Sequence, residues 1–277
     1  MKAAVVVSEI ETVFGQQIPV ESVAAAKTLE TLAHQINQNY WDTIGSRTLV
    51  PANSQGRKRP FFYVHAIGGR GGGFMLARYL DPERPVYGLQ AVGLDGKTAP
   101  YTHIQDMVEH YIQEIQTIQP HGPYLLGGQC IGGNIALEMA QQFKQRGEQV
   151  LLVAMSDSPN PLITVEQKNQ QWTRWKLCGK AHKREKFKKQ GLTDNLIENI
   201  VKVSEANWQV IISHCPRIYC GRVVYFSAVE NRQQQNGSRF DPMQPNGWNQ
   251  FVAVGIEIIE VPGMHGTYHV EPHLFVK

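Results

Sequence analysis

The sequence predicts an α/β fold in which a mostly parallel central sheet carries helices on both faces and a helical lid insertion. Short apolar, β-rich runs recur along the chain, and helical patterns such as residues 103–119 separate them. Because a helix returns the chain to the start of the next parallel strand, this alternation predicts parallel neighbours. A long stretch between the fourth and fifth runs breaks the alternation and predicts the lid. The runs are residues 61–64, 86–89, 124–126, 150–155, 223–226 and 256–261.

The segment before the first run differs in composition from the rest. Residues 1–40 contain two short amphipathic helical patterns, the first ending at Gly15 and the second beginning behind Thr28. Residues 41–59 mix Gly, Ser, Asn and Gln with a basic run, which is typical of a linker. We therefore assign residues 60–277 to the main domain.

Composition excludes several classes of protein. A formal net charge of +3 over 277 residues does not indicate a nucleic-acid-binding protein. The first residues contain too short an apolar run for a signal peptide, so we expect a cytoplasmic protein that does not bind a membrane. Without secretory features, the cysteines are expected to be free thiols, and their spacing matches no zinc site. The four cysteines are Cys130, Cys178, Cys215 and Cys220.

A glycine-flanked cysteine, Cys130, follows the third β-rich run in the sequence YLLGGQCIGG. The nucleophile elbow of an α/β-hydrolase needs a strand, a sharp turn with the nucleophile at its tip, and a helix that leaves at once. Gly128, Gly132 and Gly133 supply the small neighbours that such close backbones require, and residues 134–146 have helical spacing. Cys130 is therefore a candidate nucleophile. The alternative is an inert, buried cysteine in a glycine-rich turn.

The acid and the base that a catalytic thiol needs are found downstream. Asp157 follows the fourth run, and His265 follows the sixth after a Pro-Gly turn. Nucleophile, acid and histidine occur in this order in α/β-hydrolases, so the sequence predicts a triad of Cys130, His265 and Asp157. Asp157 alone is also typical of a cap or turn. His269 and His273 are alternative bases, and we favour His265 because it directly follows the strand and turn.

The first strand leads into a glycine-rich loop, HAIGGRGGG. In an α/β-hydrolase this loop supplies one oxyanion-hole amide, and the residue after the nucleophile supplies the other. Ala66 and Ile131 are therefore the expected donors. The spacing is not that of a P-loop and no lysine-threonine pair follows, which argues against nucleotide binding.

The predicted lid covers residues 160–215. Its long helix starts near Thr193 and is stopped by Pro216, and apolar residues on more than one stripe predict packing on the body and on another element. The alternative is an inserted helical hairpin with a solvated basic face. Seven basic residues precede the long helix, and we call them the basic cluster. They are Lys176, Lys180, Lys183, Arg184, Lys186, Lys188 and Lys189.

Taken together, several segments resemble the thioesterase domains that end nonribosomal peptide and polyketide synthases. They are GGQCIGG, LLVAMSDSP, RVVYFSA and the stretch from Trp248 through VPGMH, and the resemblance runs from Pro60 to the C-terminus. It implies that Cys130 accepts the acyl group, that Asp157 and His265 complete the triad, and that a helical lid shapes the substrate chamber. Most members of that family carry serine at the elbow, whereas this chain carries cysteine.

Residues 1–40 resemble the second half of a carrier protein, whose phosphopantetheine-bearing serine would precede Met1. The resemblance implies that no cofactor is bound and that the substrate arrives on the phosphopantetheine of an acyl or peptidyl carrier protein. That carrier acts in trans or belongs to a missing N-terminal region. Because carrier proteins present an acidic face, the basic cluster is the expected docking surface.

The expected function is release of an acyl, peptidyl or polyketide chain from its carrier through a Cys130 acyl-enzyme, by hydrolysis, cyclisation or aminolysis. A free-standing cysteine ester or lactone hydrolase is one alternative. A non-catalytic carrier-docking module is the other. Chamber shape depends on lid packing, so the sequence does not identify the acyl chain.

Overall fold

The fold is built on one sheet of seven strands in the order β1-β3-β2-β4-β5-β6-β7. β1 pairs antiparallel with β3, and every other neighbouring pair is parallel, so the predicted mostly parallel α/β sheet is confirmed. The computed structural model describes residues 5–7, 10, 28, 32, 48–70, 73–159, 162, 165–189, 192–228 and 245–263. The strands are β1 (Leu49–Asn53), β2 (Phe61–Val64), β3 (Val86–Leu89), β4 (Tyr124–Gln129), β5 (Val150–Ser156), β6 (Val223–Ala228) and β7 (Ile256–Val261).

Helices connect and cover these strands. They are α1 (Gly73–Ala77), α2 (Ile104–Ile118), α3 (Ile131–Gln145), α4 (Val165–Arg174), α5 (Lys180–Lys189) and α6 (Asp194–Ser213), with a π-helical turn at Trp175–Gly179 and a 3₁₀ turn at Pro245–Gln250. All six predicted β-rich runs form strands, and β4, β5 and β6 extend beyond the predicted ends. Each added residue moves the strand end closer to the candidate site.

Alternate residues of β2 point to opposite faces of the sheet. Phe62 and Val64 pack in the main core with α2 and α3. Phe61 and Tyr63 pack on the other face, where Leu76 of α1 contributes. Apolar residues therefore bury both faces of the central strands, as expected for a parallel sheet.

β1 lies within residues 41–59, which the sequence predicts to be a linker. The strand pairs with β3 over Leu49↔Leu89 to Pro51↔Tyr87, and its register shifts between Pro51 and Asn53. Proline lacks an N–H but is tolerated in an edge strand, where one side of the backbone makes no ladder bonds. This part of the linker prediction is therefore wrong. The strand forms because its backbone pairs with β3, and a short sequence that contains Pro and Asn does not by itself indicate a strand.

The lid lies between β5 and β6 and contains α4, the π-helical turn, α5 and α6. Thr193 caps α6 by accepting a hydrogen bond from the Leu196 N–H at 3.4 Å. Ile200 packs with Leu94 of the loop after β3, and Val210 packs in the main core. The long helix therefore contacts the body along its length, and it also packs on α5 and α4.

Much of the N-terminal segment and the C-terminal end lie outside the described residues. Residues 5–7 and 10 are helical, and the Leu32 N–H donates to the Thr28 carbonyl oxygen at 3.1 Å. The rest of the predicted carrier-like segment 1–40 is outside the description, as is His265. No helix in the described part of the chain combines the length and apolar character needed to cross a membrane.

Candidate active site

Cys130 lies at the tip of a sharp turn between β4 and α3, as the sequence predicts. It occupies the N-cap position of α3 with φ 54° and ψ −126°, a left-handed conformation that a non-glycine residue rarely adopts. Its N–H donates to the Ser156 carbonyl oxygen of the adjacent strand at 2.8 Å. The residue is 7% exposed. The backbone therefore holds the thiol at the carboxyl edge of the sheet and at the N-terminus of a helix.

Three glycines make the elbow possible. A Cβ atom on Gly128 would lie 2.3 Å from the backbone of Gly132, and one on Gly133 would lie 1.9 Å from the Ser158 hydroxyl. A Cβ atom on Gly132 would lie within 2.6 Å of the carbonyl oxygen of His65. Side chains at these positions would separate the strand, the helix and the preceding loop, which explains why the sequence carries glycine at all three.

Asp157 directly follows β5, the strand that pairs with the strand leading to Cys130. Its Oδ1 accepts a hydrogen bond from the Ala228 N–H at 2.9 Å, and its own N–H donates to the Phe226 carbonyl oxygen at 2.9 Å. The residue is 1% exposed and has a φ of 44°. Contacts at the end of β6 thus fix the carboxylate at the same sheet edge as Cys130, and it is not a simple exposed turn residue.

The predicted base, His265, lies outside the described residues, as do the alternatives His269 and His273. The strand that leads to them is described. β7 runs parallel to β6, with Val261 opposite Ala228. Its carboxyl end therefore lies beside the residue whose amide binds Asp157.

The predicted oxyanion loop, residues 65–73, follows β2, and its residues 71 and 72 lie outside the described residues. The His65 N–H closes the sheet by donating to the Leu89 carbonyl oxygen at 2.9 Å, and the Gly69 N–H donates to the Ala66 carbonyl oxygen at 2.9 Å. Ile131 begins α3, so its N–H belongs to the first turn, where no intrahelical acceptor exists. Gly132 lies close to the backbone of His65. The predicted donors Ala66 and Ile131 are the residues next to these two in the sequence, so the two donors lie near each other.

His65 supports this loop and is itself a poor candidate for a base. Its Nδ1 donates to the Ala66 carbonyl oxygen at 2.8 Å, so Nε2 is the acceptor in its 2.7 Å hydrogen bond with the Tyr111 hydroxyl. Burial lowers the pKa of His65 to about 4, against the opposing effect of the Ala66 hydrogen bond. The ring is therefore neutral near pH 7 with both nitrogens engaged.

The lid contacts the oxyanion loop through α6. Asn207 donates to the Ile67 carbonyl oxygen at 3.1 Å, and Val203 lies against Gly69, which has a φ of 78°. Both Asn207 and Val203 are fully buried. The sequence does not single out Asn207, because a polar residue among the apolar positions of one helix does not indicate its distant partner.

The structure divides the basic cluster into groups with different environments. Three members form ion pairs with acidic residues of α6. The pairs are Lys180 with Glu205, Arg184 with Glu198 and Lys188 with Asp194. Lys176 lies 4.5 Å from the ring centre of Trp172. Lys186 and Lys189 are exposed.

Lys183 differs from the other members, because it turns inward. Its Nζ donates to the Ser204 hydroxyl at 2.6 Å and would lie 3.6 Å from a Cβ atom on Gly68 of the oxyanion loop. The sequence predicts that Lys183 belongs to the docking surface. Lys183 instead lies on the face of α5 that packs on α6, and its side chain reaches Ser204 and Gly68.

The described residues contain no group of three or more histidine, cysteine or carboxylate side chains arranged to hold a metal ion. Cys130, Cys215 and Cys220 are free thiols, and only Cys130 of these three is buried. The chemistry that this arrangement could support is nucleophilic attack by the Cys130 sulfur on a carbonyl carbon near the predicted oxyanion loop.

Comparisons with known proteins give matches over most of the chain. The model of the thioesterase domain family matches residues 59–269. Malpibaldin synthetase of Mortierella alpina is 30% identical over 259 residues, which cover 91% of this chain and 4% of that protein. A dimodular nonribosomal peptide synthase of Bacillus subtilis is 25% identical over 286 residues, covering 95% of this chain and 12% of that protein. The chain thus spans a small part of these curated relatives.

Solved structures share the fold. A four-domain nonribosomal peptide synthetase bound to AMP and glycine superposes with a TM-score of 0.72 at 22% identity, covering 99% of this chain and 23% of that one. The NocB thioesterase domain, in a covalent complex with a fluorophosphonate nocardicin G analogue, gives a TM-score of 0.64 at 22% identity, covering 82% of this chain and 95% of that one. At these identities the likeness concerns the fold alone.

Proposed function

Because the chain belongs to the thioesterase domain family of nonribosomal peptide and polyketide synthases, we propose that it releases an acyl, peptidyl or polyketide chain through an acyl-enzyme on Cys130. The substrate is a thioester of the phosphopantetheine arm of a carrier protein, in trans or in the same polypeptide. The observation that carries this proposal is the strained Cys130 backbone at the tip of the β4–α3 turn, beside the strand that leads into Asp157.

In the first step, the Cys130 sulfur attacks the thioester carbonyl carbon. The new C–S bond forms as the bond from that carbon to the pantetheine sulfur breaks, and the pantetheine leaves as a thiol with the proton that Cys130 gave up. Water, an internal hydroxyl or an amine then takes the acyl group from Cys130.

His265 is the proposed base and acid for both steps, with Asp157 as the residue that orients it. Two observations support this assignment. The Asp157 carboxylate is held by the Ala228 amide, and Ala228 is opposite Val261 in the β6–β7 ladder. Only three residues separate Val261 from His265. This short connection keeps the imidazole near the end of β7, and so near the carboxylate.

The amides of Ala66 and Ile131 are the proposed oxyanion hole. They would stabilise the negative charge that develops on the substrate oxygen when the carbonyl carbon becomes tetrahedral. The close approach of Gly132 to the His65 carbonyl oxygen supports this assignment, because it brings the loop and the first turn of α3 together.

The test is intact-protein mass spectrometry after mixing the protein with a panel of acyl-carrier thioesters. We expect an added mass equal to the acyl group in the wild type and none in Cys130→Ala, while Cys215→Ala and Cys220→Ala still acylate. Acylation of the Cys130→Ala protein would overturn the assignment. Absence of any adduct together with carrier binding would favour a docking module, and turnover of small soluble esters but not carrier thioesters would favour an ester or lactone hydrolase.

Separate His265→Ala, His269→Ala and His273→Ala variants test the base. We expect loss of turnover in His265→Ala, by a factor of at least about 10², the lower range for general acid–base catalysis. The other two variants should retain turnover close to that of the wild type. A collapse confined to His269→Ala would assign the base to His269 instead.

A further inference from the structure

Lys183 is a cation on the inner face of the lid, and its surroundings differ from those of its neighbours on α5. Lys180 and Arg184 form ion pairs with carboxylates of α6. Lys183 forms none with the described carboxylates, and its one described hydrogen bond goes to the neutral hydroxyl of Ser204. No carboxylate in the described part of the chain therefore pairs with Lys183.

Ser204 cannot neutralise this charge. Its hydroxyl donates its single proton to the Ile200 carbonyl oxygen at 2.6 Å and accepts from the Lys183 Nζ at 2.6 Å. Ser204 is fully buried. An ammonium group has three donors, so two donors of Lys183 remain for a group outside the described contacts. Lys183 is half-buried, and a charge partly removed from water is costly unless it is paired.

The ammonium group lies against the proposed oxyanion loop. The Nζ atom would be 3.6 Å from a Cβ atom on Gly68, two residues after the proposed donor Ala66. Burial lowers the pKa of Lys183 to about 8, although a charge on Cys130 acts in the opposite direction. Lys183 is therefore still mostly protonated near pH 7, and it is close enough to Cys130 for their charges to interact.

Resting on the function proposed above, we propose that Lys183 binds a carboxylate of the acyl chain between the lid and the oxyanion loop, so that the preferred substrates are acidic acyl or peptidyl chains. The carboxylate supplies the negative charge and the two acceptors that Lys183 lacks. Lys183 is a specificity-determining residue in this proposal, and it takes no part in bond making or breaking.

The test compares acidic substrates with neutral ones of the same shape. The probes are N-acetylcysteamine monothioesters of dicarboxylic acids from succinyl to suberyl, each measured beside its terminal amide. For at least one chain length, the wild type should prefer the acid in kcat/KM by about ten- to a hundredfold, the range for a hydrogen bond to a charged group. The preference should fall to about one in Lys183→Met and return in part in Lys183→Arg.

Lys202→Met is the matched control, because Lys202 is an exposed lysine of the same lid. It should keep the wild-type preference. If Lys183→Met lowers kcat/KM equally for acids and amides, Lys183 acts on the nucleophile or on lid packing and the proposal is overturned. The same conclusion follows if the wild type shows no preference at any chain length.

A binding measurement separates this proposal from the proposed function. Titration calorimetry of the free dicarboxylic acids with Cys130→Ala requires no turnover. Loss of that binding in the Cys130→Ala, Lys183→Met double variant would support the carboxylate site even if no acyl-enzyme forms in the wild type. Equal binding by the two variants, or no binding by either, would overturn it even if Cys130 acylates.

Discussion

The side-chain amide of Asn207 donates a hydrogen bond to the carbonyl oxygen of Ile67 at 3.1 Å, and this bond joins the lid to the loop that follows β2. Val203 lies one turn away on α6 and contacts Gly69 of the same loop. The loop is thus held from above by α6 and from below by Gly132 of α3. Its conformation depends on the lid as well as on the sheet.

We expect Asn207→Ala to lower kcat by about ten- to a hundredfold with little change in KM, since small displacements of a positioned group are costly to catalysis. The stability cost of the lost hydrogen bond should be about 1 kcal/mol. Steady-state kinetics and denaturant unfolding measure the two effects.

Asn199→Ala is the control for Asn207→Ala, because Asn199 donates an equivalent hydrogen bond from the same helix to the Leu94 carbonyl oxygen at 3.2 Å. It should lose similar stability and retain kcat. Equal losses of kcat in the two variants would mean that Asn207 stabilises the lid and does not position the loop.

Gly132→Ala should inactivate the protein even where it remains folded. The new Cβ atom would lie 2.5 Å from the Val64 carbonyl oxygen and 2.6 Å from that of His65, so the loop or the helix must move. Overpacking of this kind costs about 1–3 kcal/mol of stability. We expect acyl-enzyme formation to fall by at least about a hundredfold, as for loss of one oxyanion donor.

Gly147→Ala is the matched comparison. Gly147 has a φ of 80° with nothing within 4 Å of the added Cβ atom, so the change costs about 1–2 kcal/mol of backbone strain without contact with the site. Thermal unfolding should show a loss of stability in both variants, and acylation should persist in Gly147→Ala. Normal acylation by Gly132→Ala would contradict the oxyanion assignment.

Cysteine at the elbow should alter the fate of the acyl group. Transfer from phosphopantetheine to Cys130 exchanges one thioester for another, whereas serine would give a less reactive oxoester. The Cys130 intermediate therefore keeps more driving force for aminolysis or ring closure, and we expect the product to be an amide, lactam or lactone. Cys130→Ser should accumulate acyl-enzyme or shift towards free acid. The measurement is the ratio of free acid to amide, lactam or lactone that the wild type and Cys130→Ser release from the same carrier-bound substrate. If both proteins release only free acid in equal proportion, the prediction is refuted.

Carrier docking should depend on the exposed lysines of the basic cluster that form no ion pair with acidic residues of the lid. Among the basic cluster, Lys186 and Lys189 are exposed and form no ion pair with the described carboxylates. Reversing both charges to glutamate should lower kcat/KM for carrier-bound substrate by about tenfold and reduce its salt dependence, because steering by charge is screened by salt. An N-acetylcysteamine thioester should be unaffected.

A Lys97→Glu, Lys144→Glu variant controls for net charge in this experiment, since it also reverses the charges of two exposed lysines but lies outside the lid. Its effect on carrier-bound substrate should be small. An equal loss with carrier-bound and small substrates in the Lys186→Glu, Lys189→Glu variant would argue against docking at this surface.

Local signals in the sequence determined much of the fold. Apolar runs predicted six of the seven strands, and the Thr193 cap and Pro216 bounded α6 closely. The glycines around Cys130 predicted the elbow, because such a turn requires small residues at fixed positions. These features depend on neighbours within a few residues, so the sequence displays them directly.

Tertiary structure decided the features that depend on distant partners. β1 forms because β3 offers an unpaired edge, which the composition of residues 41–59 does not reveal. Acidic residues at the start of and along α6 pair with much of the basic cluster, and the rotation of α5 turns Lys183 towards Gly68. Identical lysines in one run of sequence therefore have different environments, since burial and charge pairing depend on which helix face each side chain occupies.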